Sequence, residues 1–257
     1  MHWRLIDTPP AAGTWNMALD EALAESVAEG GAPVLRFYRW NPPCLSLGRN
    51  QPAAGLYDLE AIRARGWDVV RRPTGGRAVL HHRELTYCAA LPDTLLGSPR
   101  EAYTAMNRAL VAGLRRLGVD AAVQGGTGRR APVPSLAPCF AEPVEGEVVA
   151  GGRKLVGSAQ RRMGSVLLQH GSLPLEDDQG EVAALLRQPA AEADRPAALV
   201  PLLGRAPAWE ELTAALAEGW REALGAELGE SAPDARERER AAALAEHYAG
   251  PAWTWHR

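Results

Sequence analysis

Two stretches decide how this chain reads: Arg71-Arg72-Pro73-Thr74-Gly75-Gly76-Arg77-Ala78-Val79-Leu80-His81 and Gly151-Gly152-Arg153-Lys154-Leu155-Val156-Gly157-Ser158-Ala159-Gln160. In each, a glycine pair stands between strand-like runs. Glycine there lets a ligand approach the backbone closely, because no side chain intervenes. Lys154 follows the second pair and Cys139 precedes it. A cation and a nucleophile supplied together suggest acyl transfer.

Around these segments the pattern alternates strand and helix. Leu5-Ile6 begins a short edge strand, and Thr14 is placed to cap a helix running to Gly30, with Trp15, Leu19, Leu23 and Val27 on its buried stripe. Val34 to Arg39 and Cys44 to Leu47 read as strands around the turn Asn41-Pro42-Pro43. A helix near Leu59 to Ala64 ends at Gly66. Strand Asp68 to Arg72 enters the first glycine turn, and Glu84 to Leu91 leaves it. Tyr103, Met106, Leu110, Leu114 and Leu117 mark a helix closed by Gly118. Thr127 to Pro138 reads as a loop. Glu147 to Ala150 and Lys154 to Arg161 form a hairpin through Gly151-Gly152, and Ser165 to Leu173 continues the sheet. After Pro174 strand signals stop. Leu212, Leu216, Trp220 and Leu224 mark one helix, and Arg236 to Tyr248 a further charged one. The reading is α+β: a catalytic body over 1–175 and a small helical C-terminal part over 176–257, packed on the same domain.

The chain has 257 residues and a net charge of −3, which gives no electrostatic case for nucleic acid or an anionic membrane as partner. No run of about 18 apolar residues appears, and Met1 to Trp15 lacks the pattern of a signal peptide. The three cysteines, Cys44, Cys88 and Cys139, lack metal-site spacing and read as free thiols in a reducing cytoplasm, the expected location.

Cys139 stands in Pro138-Cys139-Phe140 at a loop end. A free cysteine is often an inert buried residue. The loop position, the adjacent proline and a lysine in the following hairpin favour a nucleophile instead. Lys154 could lower that thiol's pKa, or hold a carbonyl oxygen as negative charge develops on it. Cys44 and Cys88 lie within strand patterns and read as packing residues. The small residues Gly157, Ser158 and Ala159 leave room for a ligand on one face of their strand. Gly75-Gly76 is neither a Walker loop nor a dinucleotide fingerprint. It is a turn over a ligand or a tight hairpin, beside which Arg72 or Arg77 could hold a phosphate or carboxylate. His81 and His82 point to opposite faces of a strand, so they suit neither a metal nor a triad. His170 alternates with its strand toward a pocket. Asp20 and Glu21 read as solvated or structural.

Gly13 to Asp20, Leu45 to Gln51, Arg71 to His81, Cys139-Phe140, Gly152 to Gln160 and Gln169-His170-Gly171-Ser172 occur in that order. Together they resemble the lipoate/biotin protein ligase superfamily, and within it the cysteine-dependent octanoyltransferases. The resemblance implies a central mixed sheet flanked by helices. It implies that Cys139 takes octanoyl from octanoyl-acyl-carrier protein as a thioester, with Lys154 at the carbonyl. Gly75 and Gly76 then line the acyl pocket, and Arg72, Arg77, His81, Gly157, Ser158, Ala159 and His170 join them as substrate-binding candidates. The acceptor is a lysine of a lipoyl domain, such as the glycine-cleavage H protein or a dehydrogenase E2. No cofactor is expected. ATP and magnesium would be needed only by the competing family, the ATP-dependent lipoate–protein ligases. Those typically carry Arg-Arg-x-x-Gly-Gly-Gly-x-Val-x-His-Asp, where this chain has Arg77 for the third glycine and His82 for the aspartate. A non-catalytic lipoyl-domain-binding protein is the third alternative, and it would have no use for Cys139 and Lys154 together.

Overall fold

The structure, a computed structural model, describes residues 1–125, 145–188 and 195–256. In chain order the first half runs β1 (His2–Asp7), α1 (Gly13–Ala28), β2 (Val34–Tyr38), β3 (Cys44–Leu47), α2 (Leu59–Ala64), β4 (Asp68–Arg71), β5 (Val79–His81), β6 (Glu84–Pro92) and α3 (Pro99–Arg116). The rest runs β7 (Ala121–Val123), β8 (Val148–Ala150), β9 (Arg153–Met163), β10 (Val166–Pro174), α4 (Glu181–Ala184), α5 (Leu199–Leu203), α6 (Trp209–Leu224), β11 (Glu227–Ser231), α7 (Ala235–Ala249) and α8 (Pro251–Thr254).

An eight-stranded sheet in the order β11-β1-β2-β6-β10-β9-β8-β7 forms the centre. Its β11, β1 and β2 are parallel and the remaining pairings antiparallel, so the sheet is mixed. Because side chains alternate along each strand, the sheet is apolar on both faces and needs cover on both. Helices α3 and α6 cover one face, where Trp3, Tyr87, Leu110, Leu216 and Trp220 are buried. Trp3 meets Trp220 edge-to-face with ring centroids 5.9 Å apart. Helices α1 and α7 cover the other face, over Tyr38, Cys88 and Leu168. A second sheet, β4-β3-β5, has its own small core with α2.

Local signals explain several elements. Asp58 caps α2 by accepting from the backbone N–H of Glu60 and Ala61, and Ser98 with Glu101 forms a capping box at α3. Gly151 and Gly152, at φ 55° and 73°, make the two-residue turn that closes the β8–β9 hairpin.

Four expectations are corrected. Thr14 does not cap α1, because the helix begins one residue earlier and Ala12 holds the cap position without a side-chain bond. The glycine segment Gly75-Gly76 is not a hairpin turn. β3 lies between β4 and β5, and β6 belongs to the other sheet, so the segment is a loop carrying the chain past the end of β3. β1 is not an edge strand, and strands do not stop at Pro174, since β11 pairs in parallel outside β1. Thus residues after 176 contribute a strand as well as helices to the central body. The Thr127 to Pro138 loop lies outside the described residues. No helix among the described residues is long and apolar enough to cross a membrane.

Candidate active site

The site is a narrow cleft between the α1-side face of the large sheet and the small sheet. Strands β9 and β10 supply Gly157, Ser158, Ala159, His170 and Ser172, while Ser46, Arg72, Val79 and His81 come from the small sheet and its loop. The sequence candidates Arg72, His81, Gly157, Ser158, Ala159 and His170 are therefore brought together. The small side chains at 157–159 are what keep the cleft open along β9. Gly75, Gly76 and Arg77 belong to the loop beside it and are not among its lining residues.

That loop is fixed from within. Arg72 is buried, donating from Nη2 to the carbonyls of Gly75 and Arg77, both at 2.7 Å, and from Nη1 to the Ser46 carbonyl and hydroxyl, both at 3.1 Å. Arg71 is buried too, bonding the carbonyls of Gly48, Gln51 and Thr254. Gly48 has to be glycine, because a Cβ there would run into the Gly76 carbonyl. Arginine carries five donors in a rigid fork, so a single buried one can clamp several carbonyls of a loop.

Two carboxylate–histidine chains flank the loop. In the first, His170 Nδ1 lies 3.2 Å from Asp20 Oδ2 and its Nε2 lies 2.5 Å from the Thr74 hydroxyl. Asp20 is fully buried, paired with Arg36 at 2.6 Å, and accepts a 2.7 Å bond from Tyr38. Burial alone would raise its pKa. That is the largest single influence, but Arg36, His170 and Tyr38 together outweigh it, and the carboxyl sits below its ordinary value. Burial lowers the pKa of His170 despite Asp20, which favours the neutral ring. The neutral ring then donates Nδ1–H to the carboxylate and accepts the Thr74 proton at Nε2. In the second chain, His81 faces Glu84 with Nδ1 at 3.0 Å and the Ser46 hydroxyl with Nε2 at 2.7 Å. The hydroxyls of Thr86 and Ser172 also donate to Glu84. Trp40 stacks on His81 with centroids 4.0 Å apart.

Lys154 is buried on β9, its Nζ 2.5 Å from Glu147 Oε1, three residues before the Gly157 that lines the cleft. It is not an exposed lysine. Cys139 lies outside the described residues. Cys44 and Cys88 are buried, and burial pushes both thiols well above their ordinary value, as suits packing residues. His82 points away and pairs with Asp178 at 3.0 Å.

Asp20 is structural and not solvated, and nothing in its local sequence signals that it meets Arg36 and His170 from two other elements. Trp40, Ser46, Glu84, Thr86, Glu147 and Ser172 join the site without being among the sequence candidates. For Glu147 a signal existed: it stands in the hairpin strand facing Lys154. For the others, only the packing of the two sheets brings them together.

Such a sheet, with a glycine-loop cleft on one face, is the architecture of the ligases that attach lipoyl groups to proteins. Residues 12–221 match the lipoyl protein ligase A/B catalytic domain, and the chain belongs to that family. It is similar to the octanoyltransferase LipM of Kyrpidia tusciae, 43% identical across 98% of each chain. It is likewise 43% identical to LipM of Symbiobacterium thermophilum, over 95% of this chain and 94% of that one. Among solved structures, a lipoate-protein ligase A bound with ATP superposes with TM-score 0.82 at 26% identity, covering 99% of both chains. The bi-partite lipoate protein ligase of Thermoplasma acidophilum superposes with TM-score 0.80 at 25% identity, over 99% of this chain and 96% of that one.

Proposed function

We infer that this chain is an acyltransferase of protein lipoylation: it moves an octanoyl group onto a lysine of a lipoyl domain. The observation that carries this reading is its similarity, over nearly its whole length, to octanoyltransferases. Octanoyl-acyl-carrier protein is the donor and Cys139 the nucleophile. The Cys139 thiolate attacks the donor carbonyl, a carbon–sulfur bond forms, and the carrier's thiol leaves with a proton. The neutral amine of the acceptor lysine then attacks the enzyme thioester, an amide forms, and the Cys139 thiol is restored. Lys154, a buried ammonium held by Glu147, supplies positive charge where each tetrahedral oxyanion develops. The acceptor is the H protein of glycine cleavage or a dehydrogenase E2, and the reaction runs in the cytoplasm.

A thioester is already activated, so this route consumes no ATP. The competing ligase reading draws on the ATP-bound structure of similar fold. Against it stand Arg77 and His82, where the ligases carry glycine and aspartate. His82 is turned to Asp178 and away from the cleft. The test supplies a lipoyl domain with octanoyl-acyl-carrier protein alone, or with free octanoate, ATP and magnesium. Modification is expected with the first and not the second. The reverse result establishes the ligase.

A further inference from the structure

We propose that Glu84, His81 and Ser46 form a second acyl-handling centre in the cleft, a hydrolase-type triad that cleaves acyl esters and thioesters with water and works independently of Cys139. The three come from different elements. Cys44 on β3 pairs with His81 on β5, and Ser46 stands two residues further along β3, so Ser46 and His81 share a face of the small sheet. Glu84 opens β6 of the large sheet. His82, the chain neighbour of His81, pairs instead with Asp178 and takes no part.

The bonds run in one direction. A carboxylate only accepts, so His81 donates Nδ1–H to Glu84 Oε1 at 3.0 Å, and Nε2 is left to accept the Ser46 hydroxyl proton at 2.7 Å. Arg72 Nη1 donates to the same serine oxygen at 3.1 Å, so a cation stands where an alkoxide would form. The imidazole is held in place. Trp40 stacks on it with centroids 4.0 Å apart, and Glu84 is fixed in turn by the hydroxyls of Thr86 and Ser172. Nucleophile, base and orienting carboxylate are therefore within hydrogen-bond reach, in the order a serine hydrolase uses. Ser46 is buried from bulk water, yet both it and His81 line the cleft, so a molecule in the cleft meets the pair. Asp20, His170 and Thr74 are bonded in the same order, but Thr74 is a fully buried secondary alcohol outside the cleft lining.

The Ser46 oxygen attacks the acyl carbonyl while its proton passes to His81 Nε2. A carbon–oxygen bond forms, the carbon–sulfur bond of a thioester breaks, and the departing thiolate takes the proton from His81. Water then attacks the acyl-serine ester with the same base, which releases a carboxylic acid and restores the hydroxyl. The net reaction is thioester and water to acid and thiol. A serine alkoxide is harder to form than a thiolate, so this reaction is slow beside capture by Cys139 and shows when that thiol is absent. Only the choice of acyl group in the test rests on the octanoyl-transfer reading.

A fluorophosphonate, which loses fluoride to an activated serine, reads the triad without any substitution. Intact mass and peptide mapping of the treated wild-type protein should place one phosphonyl group on Ser46. Glu84→Gln should lose the label, and Glu84→Asp, which keeps the charge, should recover part of it. Hydrolysis is read with p-nitrophenyl octanoate in Cys139→Ala, where the transfer nucleophile is gone. That protein should still release p-nitrophenol faster than buffer does, and adding Ser46→Ala to it should abolish the release. No phosphonyl group on Ser46, or equal release with and without the serine, overturns the triad and leaves the three residues as a buried structural chain. A protein labelled at Ser46 that moves no octanoyl to a lipoyl domain keeps the triad and sinks the transfer reading instead.

Discussion

Cys139→Ser loses octanoyl transfer to a lipoyl domain by on the order of a thousandfold or more, the scale expected when a covalent nucleophile is replaced. The change is small in shape and large in chemistry. A thiol of pKa ~8.5 is ionised by a nearby cation at neutral pH, whereas a serine hydroxyl needs a dedicated base. The other cysteines provide the contrast. Cys44 is buried among Gly13, Trp40 and Val70 with its thiol pushed well above the ordinary value, so Cys44→Ala should transfer at near wild-type rate. Initial rates by intact-mass counting of the modified acceptor decide it. A Cys139→Ser rate within tenfold of wild type removes Cys139 from the mechanism.

The second large effect belongs to Lys154. If Lys154 is a positioned cation at the carbonyl, its loss removes roughly 3 kcal/mol of transition-state stabilisation, so Lys154→Arg should fold normally and still lose 100-fold or more. Its guanidinium keeps the charge but cannot place a compact ammonium against Glu147 and the acyl oxygen together. Lys154→Ala carries an added cost. It strips the cation from a buried pair made at 2.5 Å, and breaking such a pair costs about 3–5 kcal/mol of stability. The Arg variant is therefore the cleaner measurement of chemistry, and Lys154→Ala should show a lowered melting temperature as well. If Lys154 acted only by ionising Cys139, raising the pH would restore the rate, because more thiolate would form unaided. The expected profile shows no rescue up to pH 9. Full rescue, or a near wild-type rate in Lys154→Arg, would make the lysine a pKa modifier or a structural residue.

What the sequence disclosed and what it hid divide along the range of the interactions. The α1 stripe of Leu19, Leu23 and Val27, the strand over Glu84 to Leu91 and the Gly151-Gly152 hairpin are written in local periodicity and turn chemistry, and all three form. β11 carries no such signal. Glu227-Leu228-Gly229-Glu230-Ser231 has a single large apolar residue, and it becomes a strand because β1, from the far end of the chain, offers an open edge. Arg72 illustrates the same limit within the site. As a sequence feature it is one of two adjacent arginines suited to an anion. In the fold, four backbone and hydroxyl oxygens claim its donors, and it holds the loop that a ligand would meet. The cleft candidates Gly157, Ser158 and Ala159 were legible because small residues in a row are unusual in a strand. Asp20 and Glu84 were not, since a carboxylate on one element says nothing about which histidine or arginine another element will bring to it.

The central claim is a covalent octanoyl-enzyme formed without nucleotide. Purified protein incubated with octanoyl-acyl-carrier protein, without ATP and without an acceptor, and then weighed intact, tests it most directly. The account predicts one octanoyl adduct, located on Cys139, released by hydroxylamine as a thioester should be, and lost when a lipoyl domain is added. An adduct on Cys44 or Cys88, or no adduct from protein that goes on to modify a lipoyl domain, would contradict it.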